Sequence, residues 1–244
     1  MVLDFLPALA PTSPQGSIGR LALDQLRPTQ NAVGRDEVKA KADKIKKMDE
    51  ARLRDYLLER TVPVVIGNAV GADEKHPTCF YLLDHHHLTA ALWEALDDPK
   101  AEVFAEVRRN WAPLAGRRFW KSLVSNNWVY PYDGMGAGPL NPDLLKTSVG
   151  SLENDLYRSL AWVIRLQYGF VKDPENPTFA EFRWASFFRS RVLFDAQLTC
   201  TKDCMNLTLA DIEKQDPDDC ADKIEFARFL AQSPEAAGLP GFRG

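Results

Sequence analysis

The sequence predicts an α+β protein: a small α+β unit in roughly the first 110 residues, then a mainly helical carboxy-terminal half. Two observations carry that expectation. β-branched and alternating apolar runs are confined to the first part, whereas helical periodicity dominates the second. At 244 residues, 27.5 kDa and 45% hydrophobic content, the chain has apolar material for one large domain or two small ones.

In chain order, residues 1–16 contain three prolines and no regular period, which reads as an extended arm. "SIGRLALDQL" follows as a short strand leading into the turn "RPTQ". From Asp36 to Glu59 apolar residues recur at mostly helical spacing among many charges, so a helix with a solvent-exposed charged face is expected. "VPVVIG" has the composition of a buried strand ending at Gly67, and "CFYLLD" reads as its hairpin partner. Asp84 is then placed to cap a helix from His85 to about Leu96, before "AEVFAEV" adds another strand. Helical patterns recur near 113–126, 151–167, 177–195 and 221–232. The glycines and prolines of "YPYDGMGAGPLNPD" make a long loop between the first two. The expected domains are an arm over 1–16, a core over 17–112, and a helical extension packed on it over 113–244.

Charge and composition exclude several classes. Thirty basic against thirty-four acidic residues give a net charge of −4, so nothing global draws the chain to nucleic acid or an anionic membrane. Two local basic clusters stand out: "KAKADKIKK" (Lys39 to Lys47), and Arg108, Arg109, Arg117, Arg118 and Lys121 around two tryptophans. Each is either a solvated face or a local anion site. No apolar stretch approaches the ~20 residues of a membrane span. Asp4 and Pro7 interrupt the apolar amino terminus, which does not read as a signal peptide; the setting is cytoplasmic, or secreted if a signal peptide was removed. Cys79, Cys200, Cys204 and Cys220 match no zinc spacing; they read as reduced thiols, with a disulfide among the last three as the competing assignment.

"LLDHHHLTAAL" holds three of the four histidines where a strand meets a helix. First-turn N–H groups have no acceptor within a helix, and the macrodipole adds positive charge there, so such a corner can hold a phosphate or carboxylate. Imidazoles beside it can donate hydrogen bonds or move protons near neutral pH. A metal site is the rival reading, with Asp84 as a ligand; however, consecutive helical side chains diverge by ~100°, so three neighbouring histidines converge poorly on one ion. A structural or exposed cluster is the third reading.

These residues, together with "LALDQLRPTQNAVGRDEVKAK", "VPVVIG", "FWKSLVSNNWVYPYDG", "DLYRSLAWVIR" and "FAEFRWASFFR", resemble the ParB and sulfiredoxin superfamily, and within it the ParB-like nuclease family. The likeness spans roughly residues 18–195, with the closing "LPGF" as a further similarity. It implies a small mixed-sheet core that binds a nucleotide or phosphate. Members include nucleotide hydrolases acting as DNA clamps, free-serine kinases, sulfinic-acid reductases and reported nucleases. By the resemblance, Asp84, His85, His86 and His87 lie at the phosphate corner, and Arg27, Thr29 and Gln30 form the opposite wall. There are departures: Leu88 stands where kinase and reductase relatives carry arginine, the reductase cysteine is missing, and Gln30 stands where kinase relatives have a glutamate.

A second constellation lies in the helical half. Glu181, flanked by Phe179, Phe182 and Trp184, is a candidate acid or base if those rings shield it, or else the partner in a boundary ion pair. Arg158 and Arg165, seven residues apart on one helix face, suit an anion clamp or pairing with neighbouring acids, and Lys172 follows in a loop. The reading is therefore a phosphodiester- or nucleotide-hydrolysing enzyme. Its catalytic candidates are His85, His86, His87 and Glu181, and its phosphate contacts are Arg27, Thr29, Gln30, Asp84, Arg158 and Lys172. The partner is a phosphate-bearing small molecule or nucleic acid, and the cofactor is open between a divalent metal and a nucleotide. The alternatives are a phosphotransferase, a non-catalytic nucleotide- or nucleic-acid-binding module, and an enzyme acting on a small non-nucleotide substrate.

Overall fold

β-branched and aromatic runs supply the middle of a sheet, and charged or amphipathic runs supply the helices. The computed structural model describes residues 5–68, 78–114, 116–172, 178–199 (without the side chain of Thr199) and 206–244. Along them run β1 (Ile18–Ala22), β2 (Leu26–Pro28), β3 (Ala32–Val33), α1 (Arg35–Lys46), α2 (Glu50–Leu58), β4 (Val62–Asn68), β5 (Thr78–Leu82), α3 (His86–Leu96) and β6 (Glu102–Asn110). There follow α4 (Gly116–Ser125), β7 (Glu153–Asn154), α5 (Leu156–Leu166), α6 (Ala180–Arg189), α7 (Asp195–Thr199), α8 (Leu209–Gln215) and α9 (Pro217–Ala231). The described residues fall into two units: one within Met1–Asn31, Val38–Tyr132 and Gly138–Leu152, the other within Ala32–Glu37, Asp133–Ala137 and Glu153–Gly244.

The first unit is built on a mixed five-stranded sheet of order β1-β6-β4-β5-β2. β4 pairs antiparallel with β5 (Val64 opposite Leu82, Ile66 opposite Phe80), as the hairpin reading expects, and parallel with β6. β2 is an edge strand parallel to β5, a position that tolerates Pro28 because no donor is needed on the open side. Val65, Cys79, Tyr81 and Leu83 form an apolar cluster with Phe119, Trp120 and Leu123 of α4. β4 does not stop at Gly67 but runs on to Asn68, and the glycine serves close packing: a Cβ there would lie 2.1 Å from the Phe119 ring. The helical stretch expected from Asp36 to Glu59 is two helices, because Asp49 leaves the helical path and accepts the Arg52 N–H (2.8 Å) to cap α2.

The second unit is helical. α5, α6, α8 and α9 bury Leu160, Ile164, Trp184, Phe188, Ile212 and Ala231, with Phe170 stacked on Trp184 at 4.3 Å. An early segment belongs here: β3 pairs in parallel with β7, and the Asp36 carboxylate accepts the N–H groups of Leu209 and Ala210 at the start of α8 (3.1 and 3.2 Å). Gly34 sits where a Cβ would be 2.8 Å from the Ser159 nitrogen, so no other residue fits without displacing α5. The Trp184 indole donates to the Pro240 carbonyl (2.8 Å), tying "LPGF" to the core. Among the described residues, no helix is long and apolar enough to cross a membrane. Cys79 and Cys220 are buried free thiols; Cys200 and Cys204 lie outside the described residues, and with them the disulfide assignment.

Candidate functional site

β5 delivers the chain to the histidine corner. Leu82 and Leu83 are buried, Asp84 is exposed, and its carboxylate accepts the His85 N–H at 2.6 Å. The helix therefore begins one residue later than its sequence suggests. His85, not Asp84, is the N-cap, with a left-handed backbone (φ 67°, ψ 22°) and no side-chain capping bond. Positive φ in a residue with a Cβ carries strain and is concentrated at turns and functional sites. His86 and His87 then occupy the first turn of α3, which carries no acidic residue. Its hydroxyl anchor is Thr89, which donates to the carbonyl of His86 (3.1 Å).

The three imidazoles differ in environment. His85 is half-exposed and His87 is buried. His86 is 2% exposed, and its Nε2 accepts the backbone N–H of Thr29 at 3.2 Å. Because Nε2 is an acceptor, the ring proton resides on Nδ1. Burial holds the His86 pKa down to about 3; Asp84 and a hydrogen bond with the Leu82 backbone pull it upward, and His85 adds to the depression. A neutral, enclosed ring with an occupied Nε2 is a positioning group between β2 and α3. That geometry favours a positioning place for His86 over the acid or base role expected of it.

The expected wall is also differentiated. Thr29 is fully buried and donates its hydroxyl to the Leu82 carbonyl (2.7 Å), and Gln30 is buried in a bridge with Tyr130. Half-exposed Arg27 lies beside Cys79, whose thiol burial pushes up against the pull of that guanidinium. Arg27, Thr29, Gln30 and the 84–87 corner belong to the first unit. Among the described residues no three His, Cys, Asp or Glu side chains converge to hold a metal ion.

Arg158, Lys172 and Glu181 belong to the second unit. Arg158 is 3% exposed, contacts Glu181 through Nη2, and lies 3.1 Å from Glu37; Arg165 holds the other Glu181 oxygen at 2.6 Å. Burial alone would depress the Arg158 pKa, but Glu181, Glu37 and Asp155 outweigh it and raise it. Both Arg158 and Glu181 stand in a buried ionic cluster, the pairing with neighbouring acids that the sequence left open beside an anion clamp and an acid or base. Lys172 is exposed.

Two members of this charged core escaped the sequence reading. Glu37 sits on the helix expected to be solvated, yet it is buried. Asp155 is buried, caps α5 through the Arg158 N–H (3.0 Å), and pairs with Arg189 at 2.6 Å; burial raises its pKa against the pull of Arg189. A capping aspartate directly before "LYRSLAWVIR" was the available signal.

No curated protein matches the chain. A solved structure, protein Atu1540 from Agrobacterium tumefaciens, is 30% identical, with a TM-score of 0.73 over 94% of this chain and 98% of that one. The family model described as "Putative ParB-like nuclease" matches residues 20–190. With the mixed sheet and the strand-to-helix corner inside that span, the chain belongs to this family.

Proposed function

We propose that the chain binds a phosphodiester group, in a nucleic acid or nucleotide, at the start of α3 and hydrolyses it. The observation that carries this reading is the His85 turn: a left-handed, half-exposed histidine opening an eleven-residue helix whose first turn lacks any carboxylate. Backbone N–H groups of His86 and His87 hold the phosphate, assisted by the helix dipole. His85 is the catalytic acid or base, because it is the one imidazole of the three with substantial access to solvent. His86 positions the turn through Thr29. Family membership supports the substrate class.

The test is turnover of bis(p-nitrophenyl) phosphate and of a single-stranded oligonucleotide by the wild type and by His85→Ala. Loss of a general acid or base lowers kcat by about 10²- to 10⁴-fold. Unchanged turnover in His85→Ala removes the mechanism. A second reading, a binding module without hydrolysis, is favoured by the enclosure of His86 and His87; absent turnover with retained phosphate affinity would select it.

A further inference from the structure

α4 separates two kinds of residue. Phe119, Trp120 and Leu123 pack into the cluster around Tyr81, whose ring is 4.8 Å from Phe119 and 5.4 Å from Trp120. That packing turns Arg117, Arg118 and Lys121 outward, and all three are exposed, with no carboxylate partner among the described residues. Arg108 and Arg109 near the end of β6 are exposed as well; Arg108 pairs with Glu106 at 3.2 Å, and Arg109 donates to the Arg108 carbonyl. From Val107 to Tyr132 the chain carries these five cations and not one carboxylate, in a protein whose net charge is −4.

A cavity of about 360 Å³ is lined by Pro113, Leu114, Gly116, Arg117 and Arg118. Half-buried Trp111 and Trp128 stack at 5.4 Å and 27° beside this face; they pack on the rim of the inward cluster, Trp111 edge-on to Phe119 at 6.3 Å. The Trp111 N–H donates to the Ile66 carbonyl (2.7 Å), and the Asn68 side chain donates to the Ala112 carbonyl (2.8 Å), so this turn is held on β4. Arg117 and Lys121, four residues apart, face the same side of the helix and repel each other, a cost that a polyanion relieves.

We propose that the outward face of α4, with the Trp111–Trp128 pair, binds single-stranded nucleic acid. The cations contact backbone phosphates, and the indoles offer stacking surface to unstacked bases, which a duplex does not present. This face shares no residue with the α3 turn and does not depend on hydrolysis there.

The experiment is fluorescence anisotropy of a labelled oligothymidylate of about 20 nucleotides with the full chain, from 50 to 200 mM salt. Wild type is expected to bind, with affinity falling steeply with salt. R117Q/R118Q/K121Q should flatten the log–log salt slope by about 2, at ~0.7 per phosphate contact. Trp128→Ala should weaken binding at least fivefold across all salt concentrations, by loss of stacking. K46Q/K47Q, which removes two exposed charges at the end of α1, should bind as wild type does. No wild-type binding at 50 mM salt, an unaltered slope in the triple variant, or loss of binding in K46Q/K47Q overturns the proposal. Sedimentation with phosphatidylglycerol vesicles without oligonucleotide binding also overturns it.

Discussion

His85, His86 and His87 are adjacent in sequence and unlike in environment. The pattern of strand, aspartate and apolar helix locates all three at a corner, and they stand there. Which one accepts a backbone N–H from across the fold is set by Thr29, 57 residues earlier, whose N–H reaches His86 only once β2 pairs with β5. No local spacing carries that information. The consequence is a pH dependence. The His86 pKa is about 3 in the folded chain, against ~6.5 when unfolded. Above pH 6.5 both states are neutral and the fold keeps its full stability. As pH falls from 6.5 towards 3, the unfolded chain gains a proton that the folded chain does not, so stability falls by up to about 1.4 kcal/mol per pH unit. His86→Gln, which retains an acceptor for Thr29 but does not titrate, should show a shallower loss of urea midpoint between pH 6.5 and 4. Parallel pH profiles for the two proteins would contradict this assignment.

At the scale of elements, Gly67 shows how a correct local reading can miss its cause. Glycine after "VPVVI" looks like a strand terminus, yet β4 continues and Gly67 pairs with Cys79 while α4 presses Phe119 against it. Gly67→Ala pushes a methyl into a fully buried ring, and a destabilisation of about 1–3 kcal/mol is expected in urea unfolding. An unchanged midpoint would mean that α4 is not seated on β4 as described. The charged helices carry a related lesson. Glu37 looks like a surface residue by its charged neighbours, but it meets Arg158 where α5, α6 and the first turn of α1 enclose both together with Glu181. Nε and Nη1 of Arg158 are buried without a hydrogen-bond partner among the described residues, so the cluster is incompletely satisfied as well as enclosed. Buried pairs of this kind are costly to break from one side. Sequence spacing finds the arginines on one face, but not the carboxylates they meet.

For the whole molecule, the α+β class and the order of strands followed by helices were legible, because period-2 and period-3.6 patterns occupy different parts of the chain. The interleaving of two units was not. Ala32–Glu37 joins residues more than a hundred positions later through β7 and α8, a long-range pairing with no periodic signature. The candidate site was legible as a place, since the corner needs only a strand, a helix start and unusual residues between them. Its division into an accessible His85 and an enclosed His86 required the fold. The most direct test of the phosphate site is a titration of ¹⁵N-labelled protein with thymidylyl-thymidine, followed by amide chemical shifts. Phosphate binding at the corner gives saturable shifts at the amides of His86, His87 and Leu88, at the start of α3. Saturable shifts elsewhere with these three amides unmoved, or no shift at millimolar ligand, would contradict it.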